Sequence, residues 1–326
     1  MAKGKSRSNF TGVSRFLDAL KTDAGSASPS QISDSTIKET DDSDDRQAKK
    51  RKTDTPKLLP SDSAYQSYDA TGVVPFYTKS SQVPEDLMKY FSQRRRYFSL
   101  YDQGCLLDRV GWYSVTPELI ANQIAERCRC DTIVDAFCGV GGNAIAFAQT
   151  CEHVIAIDND ETRLRLARHN AAIYGVADRI EFVLDDFIQF AKTLVRRSET
   201  RKGGRAVDVI FLSPPWGGPS YLHGTSPNTP PDASQYPEFR LSDITPIHGS
   251  ELFKLAERAT PNIAYYLPRN TNLQEISDLV TTTEEGGAKG KGKARMVEVE
   301  EEWMGEKLKA LTCYFGGLAQ GQEDLF

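Results

Sequence analysis

Apolar residues arrive along this chain in short blocks, each closed by a glycine, a proline or an acid. The blocks at 132–137, 153–157, 180–184, 207–211 and 262–267 are five or six residues long and rich in Val, Ile, Leu, Phe and Tyr. That is the pattern of strands covered on both faces of a parallel sheet. Between them the period changes to that of a helix. Residues 144–150 are small and apolar; Leu164, Ala167, Ala171 and Tyr174 trace one face of a helix that Gly175 can cap; 250–258 and 273–280 read as two more helices. Strand and helix alternating in this way predict parallel strands joined by crossovers. Two last strands, 294–303 and 307–315, have Gly305 in the turn between them and should pair antiparallel. The expected fold is therefore α/β, with a seven-stranded, mostly parallel sheet carrying one antiparallel strand.

Ahead of the sheet the pattern is different. From Val83 a helical face carries Leu87, Tyr90 and Phe91, with Lys89, Arg94, Arg95 and Arg96 interleaved. Basic residues among aromatics suit a phosphate-contacting surface, although an exposed helix face has the same composition. A second helix should follow Thr116, read as its N-cap, with Pro117 at the first helical position. Residues 83–130 thus form a small N-terminal helical lobe, and 131–317 the sheet core. Residues 1–69 are mostly Ser, Asp, Thr and Lys, too poor in apolar surface to offset chain entropy, and are expected to be a disordered tail. Within it, Phe10, Val13, Phe16, Leu17 and Leu20 have helical spacing, either a partner-docking segment or a chance amphipathic run. Lys49-Lys50-Arg51-Lys52 reads equally as a solvated charge run or as a nuclear import signal.

Composition changes the picture in two respects. Over 326 residues only 39% are hydrophobic, which agrees with a long unfolded portion. The net charge of −5 excludes a global field for polyanions, so any nucleic-acid contact must be a local basic patch. The six cysteines lack the paired spacing of a zinc site and read as reduced thiols, no metal is expected, and no apolar run is long enough to span a bilayer.

The candidate chemistry lies where the strands end. The first strand runs into Cys138-Gly139-Val140-Gly141-Gly142-Asn143, a turn that lets a ligand approach the backbone and sit at a helix N-terminus. Strands one to three carry Asp135, Asp158 and Asp186 at their ends. Each could be a helix N-cap, but three acids in register argue for a bound nucleoside. The fourth strand ends in Leu212-Ser213-Pro214-Pro215-Trp216-Gly217-Gly218-Pro219, where two prolines force the chain out of the sheet. The result is a rigid, acceptor-rich mouth beside a flat indole, suited to a planar substrate bearing an amino group.

This topology is the plan of class I, Rossmann-like methyltransferases. The segments Asp135 to Asn143, Val154 to Asp158, Ser213 to Pro219 and Tyr266-Leu267-Pro268-Arg269-Asn270 together resemble the trimethylguanosine synthase family, RNA cap guanine-N2 methyltransferases. The resemblance covers about 83–317 and leaves out the tail. It implies S-adenosylmethionine as methyl donor and the exocyclic 2-amino group of a 7-methylguanosine cap on small nuclear or nucleolar RNA as acceptor, methylated twice. It further implies that Ser213, Pro214 and Trp216 carry the reaction, with Trp216 stacking on the cationic cap base. Lys89, Arg269 and Asn270 would join Ser213 and Trp216 around the cap, the two cations on its phosphates. Asp158 would take the donor's ribose, Asp186 its adenine amine and Phe187 the ring edge. Asp135 and Gly139 would lie by the methionine end, with Phe98 and Thr116 closing over it. A nuclear or nucleolar location and ribonucleoprotein partners docking on the tail belong to the same expectation. Polar insertions at 196–205, 222–236 and 283–293 depart from the family pattern. The residues alone leave open an amino methyltransferase acting on adenine or glutamine, and a cap-binding module without catalysis.

Overall fold

Strand order, rather than any single motif, fixes what this molecule can bind. The computed structural model describes residues 58–59, 64–200, 207–217, 238–281 and 296–319. The Phe10 to Leu20 segment, the Lys49 to Lys52 run, the insertions at 222–236 and 283–293, and the second half of that at 196–205 lie outside the described residues. The first two strands are β1 (Thr132–Asp135) and β2 (His153–Asp158). Next come β3 (Ile180–Leu184), β4 (Val209–Leu212) and β5 (Ile263–Pro268). The last two are β6 (Val297–Met304) and β7 (Lys307–Phe315). They form a seven-stranded sheet in the order β3-β2-β1-β4-β5-β7-β6. β3 to β5 pair in parallel, while β7 runs antiparallel to both its neighbours. The chain therefore steps outward from β1 in one direction and from β4 in the other. Between these two strands lies the switch point, where an open α/β sheet has a crevice at its carboxyl edge.

The central strands are buried from end to end because both faces are covered. All of β4 and β5 is buried, as are Ile133, Val134, Val154, Ile155 and Ile157. The helices are α1 (Met88–Phe91), α2 (Arg94–Tyr97), α3 (Arg109–Ser114) and α4 (Glu118–Arg127) in the lobe. In the core they include α5 (Gly142–Thr150), α6 (Glu161–Ile173), α7 (Phe187–Thr200), α8 (Gly249–Glu257) and α9 (Leu273–Thr281). β6 stands at the edge and alternates Val with Glu, charges that guard an open strand. Arg127 of α4 secures that edge: its guanidinium donates to both oxygens of Glu298 at 2.8 Å and lies 3.9 Å from the Tyr314 ring centroid.

Order begins earlier than the sequence pattern indicates. Leu59 and Ala70 are buried, and Tyr65 and Tyr68 pack against the core, although 1–69 reads as tail and order was expected from Val83. The tie is His169 on α6. Its Nδ1 accepts from the Ala70 N–H at 3.1 Å and its Nε2 lies 3.0 Å from the Gly104 carbonyl, so the neutral ring bridges the segment ahead of the lobe and the lobe itself. Burial lowers its pKa and keeps it in that form. The adjacent Asn170, fully buried, accepts from the Leu106 N–H and donates to the carbonyls of Leu106 and Val140, all within 2.9 Å. Lobe and glycine turn are thereby sewn to one helix. The described residues of lobe and core accordingly fall within one compact unit.

Smaller boundaries also move. The N-cap of α4 is Pro117, not Thr116, because extended backbone at Pro117 leaves Thr116 one residue outside the helix. β6 starts at Val297 rather than at residue 294, and α5 starts inside the glycine turn at Gly142.

Candidate active site

The carboxyl edge of the sheet opens into a cavity of about 640 Å³, within the usual range for a site that buries a small ligand. It is bounded below by the turn after β1. Gly139 has φ +53° and Gly141 φ +90°, left-handed values that favour glycine. A Cβ on Gly141 would come within 3.1 Å of the Ala167 Cβ, so turn and α6 approach closely. The Gly139 N–H donates to Asp158 Oδ2 at 2.9 Å, while Oδ1 accepts from the Asp160 N–H. Asp158 is thus no helix cap; Asp160 caps α6 through the Arg163 N–H. Asp158 pins the turn and lines the cavity beside Asn159. Burial pushes its pKa upward.

The two other acids differ. Asp186 lines the cavity and caps α7, its Oδ1 accepting from the Ile188 N–H at 2.7 Å. Asp135 has no cavity surface: its side chain lies wholly buried beneath the turn, which exposes Ala136 to Val140 instead. Neither Asp135 oxygen meets a donor in good hydrogen-bond geometry. Burial pushes its carboxyl up to about 7, only partly opposed by the nearby N–H groups of Phe137 and Ala144, and Asp158 adds to the rise.

Thr116 and Asn143 complete this end. The Asn143 Nδ2 donates to Thr116 Oγ1 at 3.0 Å, and Asn143 Oδ1 is a buried acceptor without a partner. Phe187 packs on Phe137 with centroids 5.7 Å apart, and both line the cavity. Phe98 does not reach it. It is buried against Tyr174 at 6.1 Å, holding the lobe on α6 rather than closing over the site.

The other end belongs to β4, β5 and β7. Ser213, Pro214, Pro215 and Trp216 line the cavity beyond β4, and Ser213 Oγ makes only a long 3.5 Å contact with the Phe137 carbonyl. The Trp216 indole is backed by Tyr266 of β5, with centroids 5.1 Å apart and planes 32° from parallel. Tyr266 rests in turn on Phe211, and Phe211 on Phe147. This stack carries Trp216 on the sheet core. Lys89 faces the cavity from α1, its Nζ 4.8 Å from the Tyr90 centroid, and Lys309 faces it from β7. Burial lowers the Lys309 pKa, and Lys307, Arg269 and Arg96 lower it further, so these cations lie near one another. Arg269 and Asn270 do not line the cavity. Arg269 donates to the Leu308 carbonyl at 3.3 Å, which sets it behind Lys309.

Sequence reasoning missed Lys309, Tyr266 and Tyr113. Lys309 had a signal, since Lys307 and Lys309 alternate on one face of a strand. Tyr113, from α3, stands on Tyr90 at 5.0 Å and had none. No histidine among the described residues lines the cavity. Nor do the described residues contain a group of His, Cys, Asp or Glu that could hold a metal, or a helix long and apolar enough to cross a membrane.

The donor set fits S-adenosylmethionine. Asp158 and Asn159 offer hydrogen-bonding groups where a ribose would lie, and Asp186 with Phe137 and Phe187 offers an acid and two ring faces for a purine. The unpartnered Asn143 oxygen and the open space over Gly139 suit a polar, amino-acid end. Comparison with known proteins agrees. Residues 130–318 match the RNA cap guanine-N2 methyltransferase family. A trimethylguanosine synthase from Schizosaccharomyces pombe is 38% identical over 200 residues, 60% of this chain and 76% of that protein. One from Saccharomyces cerevisiae is 34% identical over 198 residues, 59% of this chain and 57% of that protein. Among solved structures, a putative methyltransferase from Porphyromonas gingivalis aligns over 72% of this chain and 51% of its own, with 14% identity and a TM-score of 0.43. The chain belongs to the RNA cap guanine-N2 methyltransferase family, with S-adenosylmethionine as its methyl donor.

Proposed function

We propose that this enzyme converts a 7-methylguanosine RNA cap to 2,2,7-trimethylguanosine by two successive methyl transfers to the exocyclic 2-amino group. The observation that carries this reading is one continuous cavity. It joins the Asp158 and Asp186 edge to the Ser213–Trp216 mouth, with Lys89 and Lys309 at its rim. Bound S-adenosylmethionine supplies an electrophilic methyl group; the chain supplies position. Trp216 takes the face of the cationic base, and Ser213 Oγ and the Pro214 carbonyl orient the amine. Lys89 and Lys309 face the triphosphate, Arg269 adding charge from behind. With no histidine at the cavity among the described residues, orientation and exclusion of water carry most of the rate, and the methylated amine, acidic once alkylated, loses its proton afterwards. The test is mass spectrometry of a 7-methylguanosine dinucleotide cap incubated with S-adenosylmethionine. Gains of one and then two methyl groups on the base are expected; no gain, or methylation of an internal adenine in a longer RNA, would refute the assignment.

Small nuclear and nucleolar RNAs are the proposed clients, in a nuclear or nucleolar setting, with ribonucleoprotein partners on the segment before Leu58. The supports are the Lys49-Lys50-Arg51-Lys52 run and the 2-amino chemistry of the site. Because Leu59 and Ala70 are packed, the informative truncation removes 1–57 and spares 58–69. That truncation should keep cap turnover within about twofold while dispersing the protein from the nucleus. Turnover and imaging of the same variant check both halves, and retention in the nucleus would remove the import role from Lys49 to Lys52.

A further inference from the structure

The short helices α1 and α2 hold more positive charge than the cavity uses. Gln93, between them, lines the cavity and also a second hollow of about 400 Å³ walled by Ser92, Arg94, Arg95 and Arg96. The two hollows therefore share a wall. Arg94 is the structural member: its guanidinium lies 4.5 Å from the Phe91 centroid, its side chain is 22% exposed, and it pairs with Asp102. Arg95 pairs with the same Asp102 but is 69% exposed. One carboxylate thus faces two guanidinium groups. Arg96 makes no ion pair among the described residues and holds only a 3.4 Å hydrogen bond to Gln93 Oε1. Lys309 of β7 lies near Lys307 and Arg96, and neither lysine has an ion pair among the described residues.

A chain of net charge −5 that gathers this many cations at one cavity mouth meets an anion there. Lys89, Lys309 and Arg269 already answer to the cap's triphosphate. Arg95 and Arg96 stand outside the cavity, beyond the shared wall, where phosphates further along the strand would lie. We infer that the RNA leaving the cap runs from the cavity over Gln93 into the Ser92–Arg96 hollow, with Arg95 and Arg96 contacting its backbone phosphates. This rests on the cap occupying the cavity as proposed above. Such contacts read charge and not sequence, so they let one enzyme accept different RNA bodies behind the same cap.

The test compares a 7-methylguanosine-capped ten-nucleotide RNA with a capped dinucleotide, using the full chain and the double variant Arg95→Gln, Arg96→Gln. Loss of two phosphate contacts should flatten the slope of log affinity against log salt by about 1.4 for the ten-mer, and weaken its binding roughly 10- to 30-fold at 0.1 M salt. Dinucleotide kcat/KM should change less than twofold, and Arg95→Lys, Arg96→Lys should restore the slope. An unchanged ten-mer slope overturns the inference, as does an equal loss for the dinucleotide, which would put the arginines in the cap pocket. Competition by polyglutamate as effective as that by uncapped RNA of equal charge would also overturn it, in favour of an acidic protein partner. A wild-type enzyme inert on the dinucleotide would instead refute the cap assignment itself, so the two failures are told apart.

Discussion

Asp158→Ala should bind S-adenosylhomocysteine about 10- to 150-fold more weakly than the wild type, with cap affinity nearly unchanged. The lost term is a charge-assisted hydrogen bond to the ribose in a partly apolar site, on the order of 1.5 to 3 kcal/mol. The structure adds a second consequence. Asp158 accepts from the N–H groups of Gly139 and Asp160, so its removal also slackens the turn under the donor. A fall in Tm of roughly 3 to 8 °C should accompany the weaker binding. Asp160→Ala separates the two effects. Asp160 caps α6 but does not line the cavity, so this variant should lose about 1 kcal/mol of stability and keep donor affinity. Calorimetric titration and thermal melts of both variants decide the matter. Unchanged affinity in Asp158→Ala removes its ribose role, and an equal loss in Asp160→Ala makes turn rigidity the whole effect.

The three acids show how far a sequence can be read and where it stops. Their register at the ends of β1, β2 and β3 was legible because short apolar blocks define strand ends closely. Their roles were not. Asp135 and Asp158 both follow buried runs, yet one lies under the turn and the other at its surface, a difference set by the path of residues 136–140. Ser213 and Trp216 were placed at the mouth because two prolines leave the chain no other exit. Phe98 went astray for the opposite reason: an aromatic in a lobe without strong periodicity can face the cavity or the core, and Tyr174 takes it into the core. Order upstream of Val83 was hidden as well. It depends on His169, about a hundred residues later, accepting a hydrogen bond from Ala70. No local pattern announces such a contact.

Trp216→Ala should abolish cap methylation while leaving S-adenosylhomocysteine affinity near normal. The indole belongs to the acceptor end of the cavity, and the donor end is built from the turn after β1 and the ends of β2 and β3. The fold should survive, because Tyr266, Phe211 and Phe147 form a stack that stands without it. Trp216→Phe is the finer test. An indole attracts a flat cation by about 0.5 to 2 kcal/mol, and a phenyl ring attracts it less, although both can stack on a neutral purine. The wild type should therefore prefer a 7-methylguanosine cap to an unmethylated one by at least ~2- to 30-fold from this term alone. Trp216→Phe should lose much of that preference while retaining the binding driven by Lys89 and Lys309. The measurement is kcat/KM for capped dinucleotides with and without the 7-methyl group, in both proteins. Equal discrimination would make Trp216 a wall of the pocket, and the selection of the methylated base would then fall to Ser213, Pro214 and the aromatic pair Tyr90 and Tyr113, which also line the cavity.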